Sequence, residues 1–152
     1  MASLTLTEAE HILTAAKAKV LEMGAKMSVS VVDPRGDLIA MIRTDGASWR
    51  TPPISRAKAV AAACFGRASG ELTDNAMSPV FRGLMAMEGG HMIPGQGALP
   101  VYRNGELLGA DGKPVILPKE INVNQLCAAA AGSGSSSAKS ETATTASFPP
   151  HG

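Results

Sequence analysis

The chain has 152 residues, 45% of them hydrophobic and only 3% aromatic, with a formal net charge of +1. That length supports one domain around a single core. The near-zero charge gives no electrostatic footing for nucleic acid or an anionic membrane, and so few aromatic rings provide no stacking platform for single strands. No stretch approaches the roughly 20 apolar residues of a membrane span, and Met1–Thr5 lacks a basic region followed by an apolar run, so a cytoplasmic protein is expected.

The first element is a helix. Thr7-Glu-Ala-Glu10 has the spacing of a capping box, in which the threonine hydroxyl takes one orphan amide and the glutamate reaches back. Ala9, Ile12, Leu13, Ala16, Val20 and Met23 then recur on one side at helical spacing, and Gly24 is a natural stop. His11 points away from that stripe, next to Ala15 and Ala18.

Two strands follow. Met27, Val29 and Val31 alternate with Ser28, Ser30 and Val32, and Leu38, Ala40 and Ile42 alternate with Ile39 and Met41. Apolar residues on both sides of the second strand predict a sheet covered by helices on both faces, at least locally. Between them, Asp33-Pro-Arg-Gly36 suits a type I turn. A loop with Trp49 leads to a helix that opens at Pro52-Pro53 and runs to Phe65, where Gly66 and Gly70 interrupt it. A shorter helix over 71–77 ends before Pro79, and 81–87 forms another turn or two. Asn104-Gly105 between Val101-Tyr-Arg and Glu-Leu-Leu108 signals a second hairpin.

Beyond Gly112 the pattern degrades, with Val115–Leu117 as one further possible strand. From Ala128 onward the chain is Ala, Gly, Ser and Thr with almost no large apolar groups, too little to offset its ordering entropy. The expected organisation is one domain over 1–127, atypical over 113–127, and a disordered tail over 128–152.

Cys64 and Cys127 make neither a disulfide framework nor a metal spacing, and Cys64, following Ala61-Ala-Ala, reads as a buried inert thiol. No nucleophile–base triad, phosphate loop or zinc spacing is present.

The best site candidate is the loop from Gly89 to Gly97. Gly89, Gly90, Gly95, Gly97 and Pro94 build a set backbone shape whose amides can form a nest for a carboxylate; the alternative is a turn that merely crosses the sheet edge. His91 within it is either a solvated loop histidine, an iron ligand, or a general base near neutral pH. Glu88 precedes it by three residues, but the intervening glycines work against helical alignment of a metal-binding pair. Arg56 and Arg67 read as solvated helix charge, whereas Lys58, facing a pocket, would bind a carboxylate or serve as a base. Asp33 and Asp45 adjoin glycine turns, Asp33 as a turn cap and Asp45 as either a turn carboxylate or a pocket residue. Tyr102 either lines the cavity with its hydroxyl or packs half-buried.

The ordered set of a first helix, the Val-Val-Asp-x-x-Gly hairpin, Arg43-x-Asp45-Gly-Ala47, a helix with Ser55 and Lys58-Ala59, then Gly89-Gly90…Gly95-x-Gly97-x-x-Pro100 and a final hairpin resembles the GlcG/HbpS group, which includes the C-terminal domain of PduO-type corrinoid adenosyltransferases. The resemblance spans about residues 3–110. It implies an α+β fold, an antiparallel sheet of about five strands with helices on both faces, and homo-oligomers from dimers to octamers. It also implies heme as a cofactor or ligand, with an axial histidine from the first helix, here His11, beside the loop's own candidate His91. One departure stands out: the group usually continues with Gly-x-x-Gly-Val-Ser-Gly-Gly and an acidic helix, where this chain reads Gly109-Ala-Asp-Gly-Lys-Pro-Val-Ile-Leu-Pro.

Two functions follow as expectations. The first is an oligomeric small-ligand-binding protein for heme or another carboxylate-bearing molecule, using Lys58, Gly89, Gly90, His91, Gly95, Gly97 and Tyr102 between the loop, the second helix and a neighbouring subunit. The second is a cofactor-independent enzyme of isomerase or cyclase type, in which Lys58, His91 and Asp45 move protons on a small organic acid or polar metabolite.

Overall fold

A computed structural model describes residues 2–112 and the two-residue strand Ala146–Ser147. The expected strand at 115–117, the atypical 113–127 segment, Cys127, His151 and all of the expected tail except that short strand lie outside the described residues.

The element order is helix α1 (Leu6–Glu22), strands β1 (Ser28–Val32) and β2 (Leu38–Arg43), and helix α2 (Thr51–Phe65). A 3-10 helix (Ser69–Asn75) and helix α3 (Pro79–Met87) follow, and then strands β3 (Ala98–Arg103), β4 (Glu106–Gly112) and β5 (Ala146–Ser147). The sheet order is β2-β1-β4-β3-β5. The first four strands are antiparallel to their neighbours, and the short β5 runs parallel to β3 at the edge.

Two hairpins form where turn chemistry predicts them. Asp33 caps its own turn by accepting from the amides of Arg35 and Asp37, both at 2.9 Å. Asn104, the only non-glycine with positive φ among the described residues, and Gly105 close the second. The first helix begins two residues earlier than its sequence pattern suggests. Thr5 is the N-cap, its hydroxyl accepting from Glu8 N at 3.2 Å while Glu8 Oε2 accepts from Thr5 N at 2.8 Å. Thr5-x-x-Glu8 and Thr7-x-x-Glu10 have the same spacing. Glu8 wins because its other oxygen also receives Arg103 of β3, a contact no local rule foresees. The stretch expected as a helix over 71–77 is the tighter 3-10 form over Ser69–Asn75.

α1 and α2 cover opposite faces of the sheet. Val29 and Val31 of β1 pack with Ala9, Ile12, Leu13, Ala16 and Val20 of α1. The alternate positions turn to α2: Ser28 Oγ meets Thr51 Oγ1 at 2.7 Å, Ser30 Oγ meets Ser55 Oγ at 2.6 Å, and Val32 packs with Ala59, Ala62 and Ala63. Helices on both faces of an antiparallel sheet are what the sequence led one to expect. β2, however, is an edge strand that leaves Leu38 and Met41 exposed, so the two-sided cover thins there. No helix among the described residues is long and apolar enough to cross a membrane.

Candidate functional site

The loop between α3 and β3 takes its shape from its two ends. At its start, Gly89 and Gly90 adopt positive φ and their amides donate to Ala86 O at 3.0 Å and Met85 O at 2.9 Å, which ends α3. Left-handed backbone at a helix end is where glycine is least costly. The glycine pair therefore has a structural task besides any ligand contact. At its other end the loop is tied to three points of the core: Ile93 N donates to Ala57 O at 3.0 Å, Lys58 Nζ to Gln96 O at 2.9 Å, and Ser69 Oγ to Gly95 O at 2.6 Å. The structure thus brings Lys58 and the Gly95–Gly97 segment into contact.

Lys58 is only 8% exposed. Burial lowers its pKa below the usual lysine value, because the charged ammonium loses its water shell. Its hydrogen-bond partner is a neutral carbonyl, so little offsets that loss. Tyr102 is half-buried and its hydroxyl donates to Gly66 O at 2.6 Å, tying β3 to the end of α2.

Beside this loop lies a cleft of about 290 Å³, lined by Arg35, Gly36 and Asp37 of the first hairpin, Arg56 and Val60 of α2, and Glu88 and His91. Three segments far apart in sequence meet there. His91 is exposed, and its backbone amide donates to Glu88 O at 3.1 Å. Arg35 is loosely paired with Asp37 across 3.7 Å, both side chains largely in solvent. Arg56, expected to be a solvated helix charge, is instead half-buried in the cleft wall, and its Nε has no hydrogen-bond partner among the described residues. Nothing local in the sequence marks it, because the hairpin turn and His91 reach it only through the fold.

The other singled-out residues are spread out. His11 is exposed on α1, across the sheet from the α2-side cleft. Asp45 sits exposed in the turn closed by Ala47 N donating to Thr44 O. Cys64 is exposed rather than buried, a correction to the sequence expectation. It stands one and two helical turns beyond Val60 and Arg56, and partial burial together with the nearby Glu88 carboxylate pushes its thiol pKa up. The described residues contain no group of three or more His, Cys, Asp or Glu side chains able to hold a metal ion.

The profile of the family described as "Haem degrading protein HbpS-like" matches residues 4–112. The chain belongs to the HbpS-like family. A Citrobacter freundii protein, the uncharacterized 15.0 kDa protein in the dhaT-dhaS intergenic region, is 35% identical over 114 residues, covering 74% of this chain and 80% of that one. Among solved structures, a double mutant of Streptomyces reticuli HbpS superposes with a TM-score of 0.74 at 22% identity, covering 88% of both chains. A PduOC–heme complex gives 0.67 at 23% identity, covering 84% of this chain and 90% of that one. At these identities the two structures establish the shared α+β fold.

Proposed function

We propose that this HbpS-like chain is a small-ligand-binding protein whose ligand is heme or another carboxylate-bearing molecule, held against the Gly89–Gly97 loop and α2. The observation that carries the reading is the polar cleft of Arg35, Arg56 and His91 set beside a loop that three hydrogen bonds tie to the core. Family membership and the heme carried by the PduOC relative give the ligand class its chemistry. The residues suit such a guest. His91 lines the cleft and is exposed, so its imidazole is accessible for iron, whereas the exposed His11, across the sheet, would reach such a guest only from a second subunit. At about 290 Å³ the cleft is slightly smaller than the ~300–1,000 Å³ pockets that enclose drug-sized ligands. A porphyrin would therefore enter by one edge, with its remaining face covered by another surface, for which a second subunit of a homo-oligomer is the natural source. Heme, when bound, would supply the redox chemistry; the chain supplies the ligating imidazole and the walls.

Hemin titration of the purified protein tests this. The expected result is a Soret shift that is lost in either His11→Ala or His91→Ala, the sensitive variant naming the axial ligand. A wild-type protein that leaves the hemin spectrum unchanged removes heme from the reading.

One observation favours a second reading, proton-transfer catalysis on a small organic acid: Lys58 is a buried amine with a lowered pKa directly beneath the loop. Asp45, its expected partner in that chemistry, lies in an exposed turn outside the cleft. The binding reading is accordingly preferred.

A further inference from the structure

The geometry points to Arg56 as the anchor of a carboxylate subsite, one that receives a single carboxylate carried on an apolar body at the α2 end of the cleft. The inference rests on the reading that this cleft is the ligand site, and it names the chemistry of one end of that ligand.

Two observations carry it. Arg56 Nε is buried without a hydrogen-bond partner, and the side chain makes no ion pair among the described residues. A buried guanidinium N–H left unpaired costs more than an ordinary missing hydrogen bond, since the group keeps its charge. A carboxylate in the cleft is the acceptor whose two oxygens match the guanidinium fork, and it would neutralise a charge that no described residue pairs.

The surrounding groups narrow the class. Arg35 and Asp37 face the cleft from the hairpin turn and pair with each other at 3.7 Å, and Glu88 and His91 face it from the loop. Two carboxylates therefore share the cleft with two arginines. Neither pairs with Arg56, yet both repel a dense polyanion, so a phosphate group is a poor fit and a lone carboxylate a better one. Val60, one helical turn beyond Arg56 on α2, supplies an apolar wall for the body behind that carboxylate. A porphyrin propionate and a free aromatic acid offer the same chemistry.

The test titrates the full chain with protoporphyrin IX, its dimethyl ester, benzoate and inorganic phosphate. Wild type is expected to bind the free-acid porphyrin about tenfold or more tightly than the ester, the scale of one charge-assisted contact. Arg56→Gln should bring the free acid down to the ester's affinity, and Arg56→Lys should restore part of the difference. Arg35→Gln, on an exposed side chain, gives a second variant should Arg56→Gln fail to fold, and a smaller loss of acid-over-ester preference is expected there. Benzoate binding that Arg56→Gln abolishes assigns the subsite to free acids as well; benzoate silence alongside porphyrin acid-over-ester preference assigns it to the propionate. Equal binding of acid and ester in wild type, or phosphate competing as well as benzoate, overturns the carboxylate subsite while leaving ligand binding intact. Binding of none of the four probes overturns both.

Discussion

The two faces of the sheet are built on different principles. Against α1 the sheet presents Val29, Val31, Val101 and Leu108 to Ile12, Leu13 and Val20, a layer of bulky aliphatic side chains whose fit depends on volume and hydrophobic burial. Against α2 the layer is almost all Ala, Ser and Gly: Ala59, Ala62, Ala63, Ala98 and Ala110, with two pairs of hydroxyls between β1 and the helix. There backbones come so close that a Cβ on Gly112 would lie 2.1 Å from Ser55 O and 2.6 Å from Ala59 N. The first face responds to change in increments of buried volume; the second is set by hydrogen-bond register and backbone contact. The cleft and Lys58 both belong to the second.

The largest effect that separates the faces comes from single methyl groups. Gly112→Ala has no room on the α2 face and should destabilise by about 3 kcal/mol or more, since overpacking against rigid backbone cannot be relieved by rotamer changes. Ile12→Val on the α1 face should remove only about 0.5–1.5 kcal/mol. Urea unfolding of both variants reads the contrast, and similar losses would show that the layers pack alike.

A middle-sized effect sharpens the claim that register holds α2. Ser30→Ala leaves Ser55 Oγ with only Pro52 O, and Ser55→Ala leaves the Ser30 hydroxyl buried without its partner. Each should cost about 1–3 kcal/mol, with the double variant well short of the sum, as expected for one shared hydrogen bond. Strict additivity in the double-mutant cycle would mean that the hydroxyl pair does not act as a unit.

The smallest effect concerns Lys58. Burial lowers its folded-state pKa, so the unfolded chain holds that proton more tightly, and folding releases it between the lowered value and the ordinary 10.5. The penalty is full below the folded pKa and disappears as pH rises through that window toward 10.5. Wild-type stability should therefore gain on Lys58→Met with rising alkaline pH. A stability difference that is flat across that range would show an ammonium as well solvated in the fold as in water.

The same contrast explains what the sequence reveals. The α1 face shows itself in the spacing of Ala9, Ile12, Leu13, Ala16 and Val20, because large apolar side chains on one stripe leave a periodic signal. Both hairpins are legible from Asp33-Pro-Arg-Gly36 and Asn104-Gly105. α2 is different: a run of alanines gives no period, so the outward position of Cys64 cannot be told from the inward ones of Ala59, Ala62 and Ala63. The choice between two identically spaced capping boxes turns on Arg103, ninety-five residues downstream of Glu8. Within the site, the glycine loop and Lys58 stand out as sequence, and their contact in the fold joins them. Arg35 and Arg56 do not stand out, since arginines at a turn tip and in a helix usually face solvent, and only the sheet topology brings them to His91.

Three anchor points on the core suspend the Gly89–Gly97 segment, two of them on neighbouring residues of α2, Ala57 and Lys58, and one on Ser69. A strip held at three places is a bracket rather than a flap. A guest therefore meets a wall already in place and forfeits little entropy ordering it. Its arrival rate then depends on the width of the mouth rather than on any closing motion.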